Sequence, residues 1–452
     1  MSTATPAKPA RDGGGDAFAG AYAMLTGEDT TERGCEAIPD AACTDMPRNY
    51  VLNVANGAAT KLAEQIAGPG LVLPWMLQAA GAPVYLIGLL MPIKQVGALL
   101  PQLAVSGLMR RARVRKWFWV GAGLTQALML WLMIAAAGLP PVPAAAAIVG
   151  LLALFSIASG TGSVAFQDVV GKTIGKGRRG RMLANRAMLG GVLAVGAGFA
   201  LRGGSQQQLD LQSCLYLLAA GGALWAVAAL LFAAIVESPG ATQGGRSPLH
   251  ELRAGLELFR CVPGFRRYLA ARTALMSIEI AAPFYVLHAH QLMPSEGGLL
   301  GVLIIAVAVA QVVSSPFWGR FADASARRVM ICSGGLGALT ALAALLLEGL
   351  PAGHTPLPYA LVFVLLGFAE GGVRLGRKTY LVDAVNAEER ATYVAFANSA
   401  VGLFTLFAGG LGALAWASSL QVLLVVLILL GLAGIGLSAW MPEAGQMLKA
   451  GT

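Results

Sequence analysis

Charge is what this chain has least of. Asp, Glu, Lys and Arg make up 12% of its 452 residues while 56% are hydrophobic, and the mean hydropathy is +0.68. A water-soluble domain of that composition would lack the polar surface it needs, so lipid is the solvent this chain is built for. Cysteine is nearly as scarce: Cys35, Cys43, Cys214, Cys261 and Cys332 include no Cys-x-x-Cys pair, which argues against a disulfide framework or a structural zinc site. No Walker lysine motif, nucleophile elbow or zinc-binding helix is present, so nothing points to an enzyme or to a cofactor. His288 and His290, with Met293, Glu296 and His354, make too weak a pattern for a metal site. The 58 glycines follow no Gly-X-Y period and suit close helix packing in a bilayer. A net charge of +9 does not imply nucleic acid, because the basic residues sit in particular loops beside apolar stretches.

Residues 1–48 also lack the basic start and apolar run of a secretory leader. Asp12, Asp16, Glu28, Asp29, Glu32, Glu36, Asp40 and Asp45 face only Lys8, Arg11, Arg33 and Arg48 there. The segment reads as an acidic, partly disordered cytosolic tail, in which Phe18, Tyr22 and Leu25 form at most a short membrane-touching turn.

What is present is a series of apolar stretches near the ~20 residues that cross about 30 Å of hydrocarbon. Twelve are expected, at residues 50–77, 83–108, 116–137, 143–170, 182–201 and 213–236, then 265–288, 298–321, 329–347, 357–382, 392–416 and 420–440. Arg110, Arg111, Arg113, Arg115 and Lys116 crowd the loop after the second stretch. Lys172, Lys176, Arg178, Arg179 and Arg181 crowd the loop after the fourth, whereas the alternate loops carry almost no Lys or Arg. The positive-inside rule then puts both termini and the central linker in the cytosol. The linker, residues 237–263, starts with Pro239, Gly240, Gly244 and Gly245; Leu249, Leu252, Leu256 and Phe259 then share one helical face, as in a helix lying on the membrane surface. The expected units are a tail (1–48), a six-helix bundle (49–236), the linker, a second six-helix bundle (264–441) and a tail (442–452).

Ionisable residues inside these stretches cost ~2.5–3.5 kcal/mol each on insertion scales unless they meet a partner or water. Lys61, Glu64, Lys94, Arg272, Glu279, Glu370 and Arg374 stand out. Asn53, Asn56, Thr60 and Glu64 form one polar stripe with Lys61 beside it; Arg272 and Glu279 share a face, and Glu370 and Arg374 are four apart. Pro69 and Pro283 each remove a backbone bond near the middle of the first and seventh stretches, freeing the carbonyls of Gln65 and Glu279.

After the eighth stretch comes Gly319-Arg-Phe-Ala-Asp323-Ala-Ser-Ala-Arg327-Arg328, and Gln102, Ser106, Arg110 and Arg111 keep its spacing in the first half. This signature, repeated across two sets of six helices, resembles that of the major facilitator superfamily. The resemblance implies an all-α membrane protein of twelve transmembrane helices, in two bundles related by pseudo-two-fold symmetry. It further implies a secondary transporter, expected to be monomeric, working by alternating access on a small molecule and coupled to protons; the alanine- and glycine-rich composition suggests a bacterial inner membrane. Asn56, Lys61, Glu64, Lys94, Arg272, Glu279, Glu370 and Arg374 are then expected in a central substrate or proton cavity. A cytosolic gate is expected from Gly319, Asp323, Arg327, Arg328, Arg110 and Arg111, the arginines reaching Asp168 and Asp383. An excess of bases in the cavity favours an anionic or zwitterionic metabolite, with Lys94 as its carboxylate or phosphate ligand. Drug or metabolite efflux, lipid flipping and a non-transporting assembly role stand as alternatives.

Overall fold

The computed structural model describes residues 13–26, 44–99, 102, 105, 109, 112–175, 178–204, 211–239, 248–294, 298–385 and 390–448. Among them every regular element is helical, and ten helices are long and apolar enough to cross a membrane. A short helix α1 (Gly13–Thr26) comes first. Where the first two crossings are expected stand split helices: α2 (Met46–Ile66) with α3 (Val72–Ala79), then α4 (Val84–Gly88) with α5 (Leu90–Leu99). Four unbroken helices complete this half: α6 (Lys116–Ala136), α7 (Pro141–Thr173), α8 (Arg179–Gly204) and α9 (Leu211–Ala233).

The linker helix α10 (Pro248–Cys261) leads to α11 (Pro263–Ile280) and α12 (Ala282–Leu292), one crossing bent at Ala281. The second half continues with α13 (Leu299–Ala324), α14 (Ala326–Glu348) and α15 (Pro356–Ala384). It closes with α16 (Arg390–Phe407), its continuation α17 (Gly410–Ala417), and α18 (Leu420–Trp440). The order agrees with two sets of six.

Both expected proline breaks are present. Between α2 and α3, Pro69 offers no N–H, and a Cβ on Gly68 would run into the carbonyl of Glu64, an approach only glycine permits. Between α11 and α12 the chain turns just ahead of Pro283. These breaks fall where the first and seventh crossings meet the middle of the molecule, so they set the walls of the site described below.

The two halves are fastened alike at the end bearing the basic loops. Just beyond α9, the carboxylate of Glu237 accepts the N–H groups of Arg115 and Lys116 at 2.7–3.0 Å, satisfying free donors at the start of α6, and takes Lys172 Nζ at 2.8 Å. Just beyond α18, Glu443 accepts Ser325 Oγ at 2.9 Å and pairs with Arg327 at 2.9 Å, at the start of α14. Each acid follows the sixth helix of its half and holds the start of the third, a correspondence expected of a duplicated unit.

The segment ahead of the first crossing is more ordered than its composition suggests. On α1, Tyr22 is fully buried, its ring edge-on to Tyr50 with centroids 5.1 Å apart. Arg181 donates to the carbonyl of Thr26 at 2.6 Å, and Asn185 to that of Leu25 at 3.0 Å. Phe18, Tyr22 and Leu25 thus pack against protein: the stripe read as a membrane-touching turn belongs to a docked helix. The linker helix α10 packs on α16, with Phe259 6.3 Å from Phe396 between ring centroids. The side chains of Leu249 and Leu252 lie outside the described residues.

Candidate substrate cavity

Helix geometry brings the charged residues of both halves to one place. On α2, Lys61, Glu64 and Gln65 lie on adjoining turns just before the break; on α15, Glu370, Arg374 and Lys378 recur every four residues and share a face. A cavity of about 340 Å³ runs between α2, α8, α13 and α15, bordered by Lys61, Gln65, Gln311, Arg374 and Lys378 and extending past Trp318 and Leu375 toward the basic end. A smaller one of about 110 Å³ adjoins it. The two share Lys61, Gln65, Gln311 and Arg374, and the smaller adds Glu64, Lys94, Phe363 and Glu370.

The charges in this lining are unevenly paired. Lys61 Nζ is 2.7 Å from Glu64 Oε2, whereas Arg374 only reaches 4.0 Å from Glu370. Lys94, on α5, makes no hydrogen bond or ion pair among the described residues and borders the smaller cavity. Between the cavities Gln65 Nε2 donates to Gln311 Oε1 at 3.3 Å, joining the first half to the second.

Three residues expected in the cavity stand outside that lining. Asn56 is fully buried inside the first bundle, donating to the carbonyl of Ala228 on α9 at 2.9 Å. Asn53 and Thr60 likewise bond to backbone carbonyls of α2 itself, so the lower part of the polar stripe packs within its bundle. The Nδ2 groups of Asn53 and Asn56 find backbone carbonyls while their Oδ1 atoms stay buried without a partner; Lys61 and Glu64 pair with each other and border the cavity. Glu279 and Arg272 lie in a buried seam between the halves. Glu279 Oε2 accepts from Gln95 at 3.3 Å and from Arg377 at 3.4 Å, while its Oε1 is buried without a partner. Arg272 donates to Asn398 at 2.7 Å, and Asn398 to Gln102 at 3.3 Å. The base beside Glu279 is therefore Arg377, from α15, and not the Arg272 of its own helix.

The expected gate is distributed differently from the signature. Arg110, Arg111 and Ser106 lie outside the described residues, as does the side chain of Asp323. Asp168 is engaged by Arg115 and, at 2.9 Å, by Lys172. Arg327 pairs with Glu443 and donates to the carbonyl of Met441 at 3.0 Å; Asp383 is exposed. The Arg328 N–H caps onto Ser325 Oγ at 3.2 Å, and Gly319 faces open space.

Sequence reading passed over Arg186, Arg377, Lys378 and Gln311. Arg186 on α8 donates to the carbonyl of Asn53 at 3.0 Å and lies 4.2 Å from the Phe166 ring centroid, so it ties α8 to α2. The signal for Lys378 was its place four residues beyond Arg374. No pattern on α13 marked Gln311, an uncharged residue in an apolar run.

At the end away from the basic loops the halves close on each other. Gly88 and Gly412 meet so tightly that a Cβ on either would strike the other's backbone. Trp75 of α3 packs edge-on to His290 of α12, centroids 5.0 Å apart. His288 is held by Tyr359 at 2.8 Å and Glu348 at 3.3 Å; among the described residues no group of three His, Cys, Asp or Glu could hold a metal ion.

Comparison with known proteins agrees with this architecture. Residues 268–446 match the family model described as Major Facilitator Superfamily. Uncharacterized proteins of Mycobacterium tuberculosis and Mycobacterium bovis are 28% identical over 277 residues, a match covering 60% of this chain and 53% of theirs. The chain thus spans about half the length of the curated relatives it matches. Among solved structures, the nucleoside transporter NupG superposes with a TM-score of 0.65 at 12% identity, over 86% of this chain and 99% of that one. A D-xylose-proton symporter gives 0.64 at 13%, over 87% and 98%. The inward-open xylose transporter XylE of E. coli gives 0.63 at 14%, over 89% and 98%. At these identities the likeness shows the fold.

Proposed function

We propose that this multi-pass membrane protein, which has the major facilitator fold and matches that superfamily's model over its second half, is a secondary active transporter for a small anionic or zwitterionic organic solute. The observation carrying this reading is the mixed lining of one cavity: Lys61, Glu64 and Lys94 come from the first half and Glu370, Arg374 and Lys378 from the second. Charges within hydrocarbon are costly, and a scaffold has no use for them. A site shared by two bundles is also one that rocking of the bundles exposes to alternate sides. Four bases against two acids in that lining favour a solute carrying at least one negative charge.

The alternation of basic loops supports a topology with the open end and both termini on the cytosolic side, in which this conformation faces inward. Protons are assigned to Glu279. Its buried, unpartnered Oε1 sits in the seam between Gln95 of one half and Arg377 of the other, contacts that separation of the halves would break. The test is solute counterflow and pH-gradient-driven uptake in liposomes holding the purified protein, run across amino acids, organic acids, sugars, nucleosides and peptides. Uptake of an anionic or zwitterionic member, weakened about tenfold or more in Lys94→Ala, is the expected result. Folded wild-type protein that moves no member of the panel would overturn the reading.

A further inference from the structure

The smaller cavity has a chemistry of its own. It is separated from the larger one by a neck of Lys61, Gln65, Gln311 and Arg374, across which Gln65 and Gln311 are hydrogen-bonded. Beyond the neck, its polar lining reduces to Glu64, Lys94 and Glu370. Glu64 is already satisfied by Lys61 at 2.7 Å. That leaves Lys94, without a partner among the described residues, and Glu370, whose nearest cation is 4.0 Å away. They come from opposite halves, Lys94 on α5 and Glu370 on α15, and the charge of Lys94 reaches Glu64 as well as Glu370. Apolar walls complete the chamber: Met91, Phe363, Leu366 and Val307. Its volume is about 110 Å³. That is about a third of the larger cavity's roughly 340 Å³, so the chamber suits a small solute.

We infer that this inner chamber binds a compact zwitterion of amino-acid size, its carboxylate on Lys94 and its ammonium group on Glu370, with the Gln65–Gln311 bridge as the neck it passes. The inference deepens the transporter reading and rests on it. A cation without a hydrogen-bonded partner among the described residues and a carboxylate whose nearest cation is 4.0 Å away, brought to one chamber from opposite halves, are costly when empty of ligand. A molecule carrying both opposite charges satisfies both ends at once and links the two halves, which a simple anion or a sugar does not. Molecules of nucleoside size exceed the chamber and would have to remain in the larger cavity.

Detergent-purified full-length protein is titrated with glycine, 4-aminobutyrate, butyrate and butylamine while its unfolding midpoint is followed. Glycine or 4-aminobutyrate should raise the midpoint, and butyrate and butylamine, which carry only one of the two charges, should not. In monodisperse Lys94→Gln and Glu370→Gln the affinity for the stabilising zwitterion should fall about tenfold or more, and Lys94→Arg should recover most of it. The ligand comparison needs only the wild-type protein, so it stands even where a variant does not fold. Butyrate acting as strongly as 4-aminobutyrate, or Glu370→Gln binding the zwitterion as well as wild type, would overturn the inference and leave an anion transporter. Neither zwitterion stabilising the protein would overturn it too, while counterflow across the wider panel decides separately whether the chain transports.

Discussion

Glu237 carries more of the architecture than its place after a helix end suggests. Its carboxylate is fully buried and serves two backbone N–H groups and Lys172 together. Removing it takes that acceptor from two helix-start N–H groups and leaves Lys172 to Asp168 alone. Glu237→Ala should therefore lower stability by about 1–3 kcal/mol, read as a fall in the unfolding midpoint in detergent; a smaller fall would show that water replaces the carboxylate. Glu279 answers to a different test. Glu279→Gln keeps the shape and the bonds to Gln95 and Arg377 but cannot carry a proton, so uptake driven by a pH gradient should drop at least about tenfold while counterflow persists. Equal loss of both would make Glu279 a binding or packing residue. The positions of such charges were legible because hydrocarbon makes every ionisable residue conspicuous. Their partners were not: seven-residue spacing puts Arg272 on the face of Glu279, yet Arg377 from another helix takes that place and Arg272 turns to Asn398.

At the scale of elements, the breaks were legible and the docking was not. Pro69 and Pro283 announce that α2 and α11 cannot run on, because the missing N–H is a local property of the chain. The fate of α1 is not local. Phe18, Tyr22 and Leu25 line up on a helix in the sequence, but the surface that receives them is assembled from Tyr50, Arg178, Arg181 and Asn185, more than twenty residues away or further. An acidic, glycine-containing segment therefore reads as disordered until its receptor is folded. Tyr22→Ala removes a fully buried side chain of α1, worth about 3 kcal/mol by analogy with other buried aromatic residues. The expected outcome is local: hydrogen exchange over residues 13–26 rises by about a hundredfold while the spanning helices keep their protection. Global unfolding would mean that α1 is part of the core of the first bundle.

For the whole molecule, twelve apolar stretches, alternating loop charge and a repeated signature made the two-bundle plan readable, because each is a property of composition. Which end of the plan is closed depends on contacts between halves that lie more than two hundred residues apart, such as Gly88 on Gly412 and Trp75 on His290. No spacing rule reaches that far. The closed end offers a direct handle on the proposed rocking. A Cβ placed on Gly70, at the break between α2 and α3, would lie 3.8 Å from the Cβ of Ala282 at the start of α12, the separation typical of a disulfide. In a background without the native cysteines, oxidised Gly70→Cys/Ala282→Cys protein should hold that end shut: counterflow should stop, and reduction should restore it. If the cross-linked protein still carries solute at the reduced protein's rate, the solute does not pass between α3 and α12, and the two bundles do not part there during transport.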